Sequence, residues 1–155
     1  MLILRPYKQD DWPVLKLYQY PSMSENEIRK LISDFNFGIY QGHRIQMLAV
    51  DNHGTLVGYV SLCEQENQAA SEGVEIYSPY RRQGFAFAAL QQLFSQTDYC
   101  TITAQIRKDN AASLALHRKL GFQIVDEFVN RRGHPVYALS LSLHQEIATS
   151  LRSSQ

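Results

Sequence analysis

Two helical repeats interrupt the strand-like runs of this 155-residue chain, and they restrict its topology more than any other feature. Phe87, Leu90, Leu93 and Phe94 recur on one side of a helix expected over Arg82–Gln96. It lies between β-branched runs at Gly73–Tyr77 and Tyr99–Ile106. A second helix is expected over Asp109–Phe122, before a strand at Phe122–Val129. Strands joined through a helix cannot form a simple hairpin, which favours parallel or mixed pairing there.

The remaining elements fill in around that constraint. Leu2–Leu4 fits a first strand. Asp10 and Asp11 can cap a helix starting near Trp12, with Pro13 in its first turn where a missing N–H costs nothing. Ser24 and Glu27 have capping-box spacing ahead of Ile28, Leu31, Ile32 and Phe35, which recur at helical intervals. Ile45–Val50 and Thr55–Cys63 read as a hairpin around the turn Asp51–Gly54. The polar run from Glu64 to Ser71 reads as a loop. Val136–Leu143 closes the set after a turn at Asn130–Pro135. The sum is one α/β (α+β) domain with a mixed central sheet of about seven strands and about four helices. A polar tail is expected at 145–155.

Composition narrows the function. Lys plus Arg and Asp plus Glu are both 15, so the chain lacks the basic surplus of a nucleic-acid binder. Hydrophobic residues reach 45%, enough for a packed core. Cys63 and Cys100 sit in strand-like runs without metal-ligand spacing, which fits half-buried thiols in a reducing compartment. No metal site is expected. The start, MLILRPYKQDD, turns charged at its fifth residue, and no apolar run approaches a membrane span. The expectation is a cytoplasmic protein that binds neither membrane nor nucleic acid.

The segment SPYRRQGFAFAAL, Ser78–Leu90, carries the strongest local chemistry. Amides at a helix start lack intrahelical partners and the helix dipole adds positive charge, so a glycine there admits an anion closely. Arg81 and Arg82 add fixed charge nearby. A plain cap with two solvated arginines has the same wording. The three-glycine dinucleotide pattern and the Gly-Lys-Ser/Thr of a P-loop are both absent.

Arg81-x-x-Gly84-x-Ala86 after a strand resembles the Gln/Arg-x-x-Gly-x-Gly/Ala motif of the GNAT superfamily of N-acetyltransferases. Asn110–Phe122, NAASLALHRKLGF, is similar to that family's Asn-x-x-Ala/Ser…Leu-Gly-Phe segment. The order of elements matches as well. The resemblance implies an acetyltransferase domain over residues 1–144 that moves the acetyl group of acetyl-CoA to a primary amine in a ternary complex. The acceptor would be a small molecule or a protein N-terminus. Many members form homodimers, and these residues decide neither way. A non-catalytic CoA-binding sensor or scaffold is the other reading.

The same resemblance implies a cofactor site. Arg82, Gln83, Gly84, Phe85, Ala86 and Phe87 would offer backbone amides to the diphosphate, with Arg81 beside them. The strand at Val74 and Ile76 would part from Thr103–Gln105 to admit the pantetheine arm, and the Ile76 amide would meet the thioester carbonyl. Asn110 and Ser113 would line the arm near the next helix, where Asn110 also reads as an N-cap.

For the catalytic groups, Glu72 falls where many members carry a glutamate base. It reads either as a base acting through water or as a solvated carboxylate at a loop end. Glu75, three residues on and facing the other side of the strand, ranks below it. His117 falls seven residues after Asn110, where the family commonly has an acidic tyrosine. It reads as helix packing or as a weak, pH-sensitive acid or positioner for the sulfur. Tyr80 and Tyr137 are fallback donors. Asp10, Asp11, Glu25, Glu27 and Asp34 make the early helices acidic, whereas Arg131, Arg132 and His134 make the last turn basic.

Overall fold

A computed structural model describes residues 1–143 of the chain. The tail expected at 145–155, with its boundary at 144, lies outside the described residues. In chain order the elements are β1 (Leu2–Arg5), α1 (Trp12–Tyr18), α2 (Glu25–Phe37), β2 (Ile39–Tyr40), β3 (His43–Asn52), β4 (Thr55–Glu64) and β5 (Ala69–Ile76). Then come α3 (Phe85–Gln96), β6 (Thr101–Arg107), α4 (Ala111–Lys119), β7 (Gln123–Val129) and β8 (Pro135–Ser142).

Local chemistry explains most of these limits. Ser24 and Glu27 cap α2 reciprocally, and Gly38 ends it at φ 91°. His53 and Gly54 both have positive φ, which gives the tight β3–β4 hairpin a twist that matches its strands. The sheet runs β1-β3-β4-β5-β6-β8-β7, with the short β2 paired to β3. All pairings are antiparallel except β5–β6. The parallel pair is the one joined through α3, whereas β6 and β7, joined through α4, do not pair because β8 lies between them.

The two-residue β2 is not expected from the sequence, and two of the boundaries that differ from expectation bear on the site. β5 begins at Ala69, so the end of the expected loop belongs to the strand. Asn67 and Gln68 turn the chain at φ 60° and 59°, after which Ala70 and Ser71 pair with both neighbouring strands. Tertiary pairing there overrides a polar sequence. α3 begins at Phe85 instead of Arg82, because Arg82 and Gly84 both adopt left-handed φ, 65° and 80°.

Each face of the sheet is covered. On one, Leu90 and Leu93 of α3 pack with Val60, Leu62, Ile102 and Leu139, and Leu114 and Leu116 of α4 lie against the same core. On the other, Leu15 of α1 and Ile28, Ile32 and Phe35 of α2 pack with Ala49, Leu56 and Tyr77. Each buried Leu, Ile, Val or Phe among them contributes about 1.5–3 kcal/mol by leaving water. Arg5 ties β1 to this second layer by bonding Asp11 and Asp51, each at 2.8 Å.

Candidate active site

The site begins as a defect in the sheet. β5 and β6 pair only at Ala69–Thr101, Ala70–Ile102 and Ser71–Thr103. Beyond those residues β5 stays with β4 as far as Gly58–Ile76, and β6 stays with β8 as far as Arg107–Val136. The strands therefore part between Val74–Ile76 and Thr103–Gln105. Hydrogen bonds at both ends of β5 fix its backbone direction. Tyr77 N donates to Val57 O and Gln65 N to Ala69 O, each at 2.8 Å, so odd-numbered groups face β4. Cys100 N donates to Gln68 O at 2.8 Å, so even-numbered groups face β6. The alternation aims the amides of Val74 and Ile76 into the gap. Strand edges inside a fold are ordinarily paired, so this one is suited to an extended ligand.

Gly58 lets β4 back the β5 wall of the gap at close range. A Cβ built on it would lie 2.1 Å from Glu75 O, so only glycine lets β4 approach β5 this closely.

At the end of the gap stands the start of α3. Its first intrahelical bond runs from Ala88 N to Gly84 O at 3.1 Å, which leaves the amides of Phe85, Ala86 and Phe87 without intrahelical partners. No side chain caps this helix, whereas Ser24 caps α2 and Asn110 caps α4. A Cβ at Gly84 would meet nothing within 4 Å, so its left-handed φ demands glycine while the space before it stays open. Arg81 Nε donates to Ile76 O at 2.8 Å and braces this turn against the end of β5.

A cleft of about 650 Å³ joins the gap to the helix start. Val74, Ile76, Arg81, Arg82, Gly84, Phe85, Ala86, Phe87, Asn110 and Ser113 line it, as do Glu75, Tyr80, Ala112 and Leu116. Gln83 is not among its lining residues. Asn110 Oδ1 accepts from Ser113 N at 3.1 Å, which spends the oxygen on the cap and leaves the amide nitrogen as a donor.

Glu72 and His117 are brought together, and neither lines the cleft. His117 Nε2 bonds Glu72 Oε1, and the two side chains are only 3% and 2% exposed. The solvated, loop-end reading of Glu72 is thereby corrected: it lies within β5 and is buried under α4. His117 Nδ1 donates to the Ser113 carbonyl at 2.8 Å, so both ring nitrogens are engaged inside the protein. Burial opposes the imidazolium, yet the bond and charge of Glu72, with the Ser113 carbonyl, outweigh it and raise the His117 pKa above its ordinary value. The partners are 45 residues apart, and helical periodicity around His117 carries no trace of the pairing.

Among the other candidates, Tyr80 lines the cleft, whereas Tyr137 packs under the Lys108 ammonium at 4.8 Å from its ring centre. Gln105, Arg131 and Arg132 line a separate hollow of about 450 Å³ beside the last turn. Among the described residues no group of three or more His, Cys, Asp or Glu is placed to hold a metal ion. No helix among them is long and apolar enough to cross a membrane.

Residues 1–123 match the model of a family described as an acetyltransferase (GNAT) domain. An aminoglycoside N(6')-acetyltransferase type 1 of Acinetobacter baumannii is 28% identical over 134 residues, covering 77% of this chain and 87% of that protein. A spermidine N-acetyltransferase SpeG chimera, from Vibrio cholerae and hSSAT, superposes with a TM-score of 0.75 at 19% identity, over 95% of this chain and 98% of that one. A putative acetyltransferase, yncA from Salmonella typhimurium, solved with its cofactor acetyl-CoA, gives 0.70 at 16% identity, over 92% and 94%. At these identities the structural likeness is one of fold.

Proposed function

The chain belongs to the GNAT acetyltransferase family and is an acyltransferase, and from that premise we propose that it moves the acetyl group of acetyl-CoA to a primary amine by direct attack in a ternary complex. One observation carries the reading: a single cleft joins inward-facing strand amides to an uncapped helix start. The diphosphate is held by the amides of Phe85 to Phe87, with Arg82 screening its charge. The pantetheine arm runs along the open edge of β5, past Asn110. The thioester carbonyl accepts from the Ile76 amide, which stabilises the oxyanion as it forms.

The chemistry asks little else of the protein. The acceptor nitrogen must lose a proton before it attacks, forming the N–C bond as the C–S bond breaks. The departing sulfur takes up a proton, for which Tyr80 is the phenol at the cleft. No acyl-enzyme is formed, so neither Cys63 nor Cys100 is required. In this reading Glu72 and His117 act together, as a pair that holds the first turn of α4 against β5. With both ring nitrogens engaged, His117 positions Ser113 and Asn110 and does not itself protonate the sulfur.

The test is release of free thiol from acetyl-CoA across a panel of polyamines, aminoglycosides, amino acids and peptide N-termini. Amine-dependent release, matched by an N-acetylated product in the mass spectrum, supports the reading. Acetyl-CoA binding without such release would instead describe a non-catalytic CoA-binding module.

A further inference from the structure

Most of the acids that the early helices offer a cationic acceptor are already committed. Asp11 bonds Arg5 at 2.8 Å, Glu25 bonds Arg29 at 2.9 Å, and Asp34 meets Lys30 at 3.3 Å. Glu27 is spent on the cap at Ser24. The basic turn between β7 and β8 is different. Arg107 and Lys108, close by in the fold, are held by Asp109 at 2.7 Å and Glu127 at 3.2 Å. The guanidiniums of Arg131 and Arg132 make no hydrogen bond or ion pair among the described residues.

Both arginines line the hollow of about 450 Å³ that Gln105, Phe128, Val129 and Asn130 complete. The turn that carries them is fixed from within. Asn130 N donates to His134 O at 2.9 Å, and Asn130 Oδ1 accepts from Arg132 N at 3.0 Å and from His134 N at 2.9 Å. The Asn130 amide nitrogen is left as a donor, as at Asn110. The Gln105 side-chain amide has no partner among the described residues. Among those residues no carboxylate lines the hollow, so its charged groups are both cations. Asp126, on the same strand as Phe128, is not part of the lining.

The hollow adjoins the gap. Gln105 lies two residues beyond Ser71–Thr103, the last β5–β6 pair, and so belongs to the β6 wall. Ile102, Ala104 and Ile106 pack into the core under α3, which turns Gln105 to the opposite face. Gln105 pairs with Ala138, and Val136, two residues away on β8, pairs with Phe128. Phe128 and Gln105 therefore share that face, whereas Ala112, Ser113 and Leu116 of α4 line the cofactor cleft on the other.

Two unpaired guanidiniums beside two side-chain amides, with no acid among them, suit an oxyanion. We propose, resting on the transfer reading, that this hollow holds a carboxylate or phosphate of the acceptor, so that the amine acetylated is one bearing such an anion. Phe128 and Val129 give an apolar side to the carbons between anion and nitrogen. The nitrogen enters the gap from the face opposite α4, and the cofactor occupies the other.

The experiment measures kcat/KM for three matched pairs of amines: glycine and glycinamide, 4-aminobutanoate and 4-aminobutanamide, O-phosphoethanolamine and ethanolamine. The whole protein is compared with its Arg131→Gln/Arg132→Gln variant. The unaltered protein should favour the anionic member of at least one pair, and that preference should fall about tenfold in the variant. A fall confined to the amino acids assigns the hollow to carboxylates, and one confined to O-phosphoethanolamine assigns it to phosphates. No preference for an anionic member in any pair overturns the proposal, as does a preference that the variant keeps. If acetyl-CoA binds but no amine of any kind releases thiol, the transfer reading fails separately. The hollow is then judged by calorimetric titration of 4-aminobutanoate and O-phosphoethanolamine into the CoA-loaded proteins. There, about tenfold weaker binding of either to the variant supports it, and equal or absent binding of both refutes it. Should the double variant fail to fold, Arg131→Gln and Arg132→Gln are measured singly by the same criteria.

Discussion

Glu72 on β5 and His117 on α4 form a buried ion pair whose other ring nitrogen is fastened to the Ser113 carbonyl. Removing one partner strands a charge in the interior. Glu72→Gln is therefore expected to lower folding free energy by about 3 kcal/mol, read from the urea midpoint. The double variant Glu72→Gln/His117→Phe should lose less than the two single losses added together. Additive losses would mean that the two side chains do not interact.

The same pair makes stability depend on pH with a defined sign. The folded pKa of His117 is raised, so its contribution is complete below the unfolded value of about 6.5 and is lost as pH rises through the folded value. The stability difference between wild type and His117→Phe should be largest below the unfolded value of about 6.5 and shrink as pH rises above it. Urea titrations below and above that value check it, and a constant difference would contradict the ion pair.

How much of this was legible in the sequence depends on the range of the interaction. The helix inserted before β6, the cap at Ser24 and the turn at Gly84 are local, and periodicity and capping residues reveal them. The cleft follows because its lining comes from two short segments, Val74–Phe87 and Asn110–Leu116. The Glu72–His117 pair is assembled from a strand and a helix 45 residues apart. No spacing rule marks Glu75, ranked second in the sequence, as a glutamate that lines the cleft without a hydrogen bond or ion pair among the described residues. The reverse holds for Asp11, Glu25 and Asp34, which look available in the sequence and are paired in the fold.

Gly58 carries a steric prediction. Its added methyl would meet Glu75 O at 2.1 Å, and backbone on both sides leaves little room to yield. Gly58→Ala should cost about 3 kcal/mol of stability, seen as a lowered thermal midpoint. An unchanged midpoint would show that β4 and β5 can separate freely at this point.

Asn110 separates stability from binding. Asn110→Ala removes the cap on Ser113 N and should cost about 1 kcal/mol. Asn110→Asp keeps the capping oxygen but replaces the amide donor with a negative charge beside an anionic cofactor, so stability should hold while acetyl-CoA affinity falls by about fivefold or more. Chemical denaturation and calorimetric titration read the two effects independently. A parallel loss of both in the Asp variant would place Asn110 outside the cofactor contacts.

The central claim is that acetyl-CoA occupies the gap between β5 and β6 with its diphosphate at α3. Titration of acetyl-CoA into the 15N-labelled protein, followed by amide resonances, tests it most directly. The largest shifts are expected at Val74 and Ile76, whose N–H groups face the gap, and at Phe85, Ala86 and Phe87 at the uncapped helix start. Amides of β4, already paired across the sheet, should move little. Saturable binding that leaves Ile76 and Phe85–Phe87 unmoved, with its shifts elsewhere, would contradict the account.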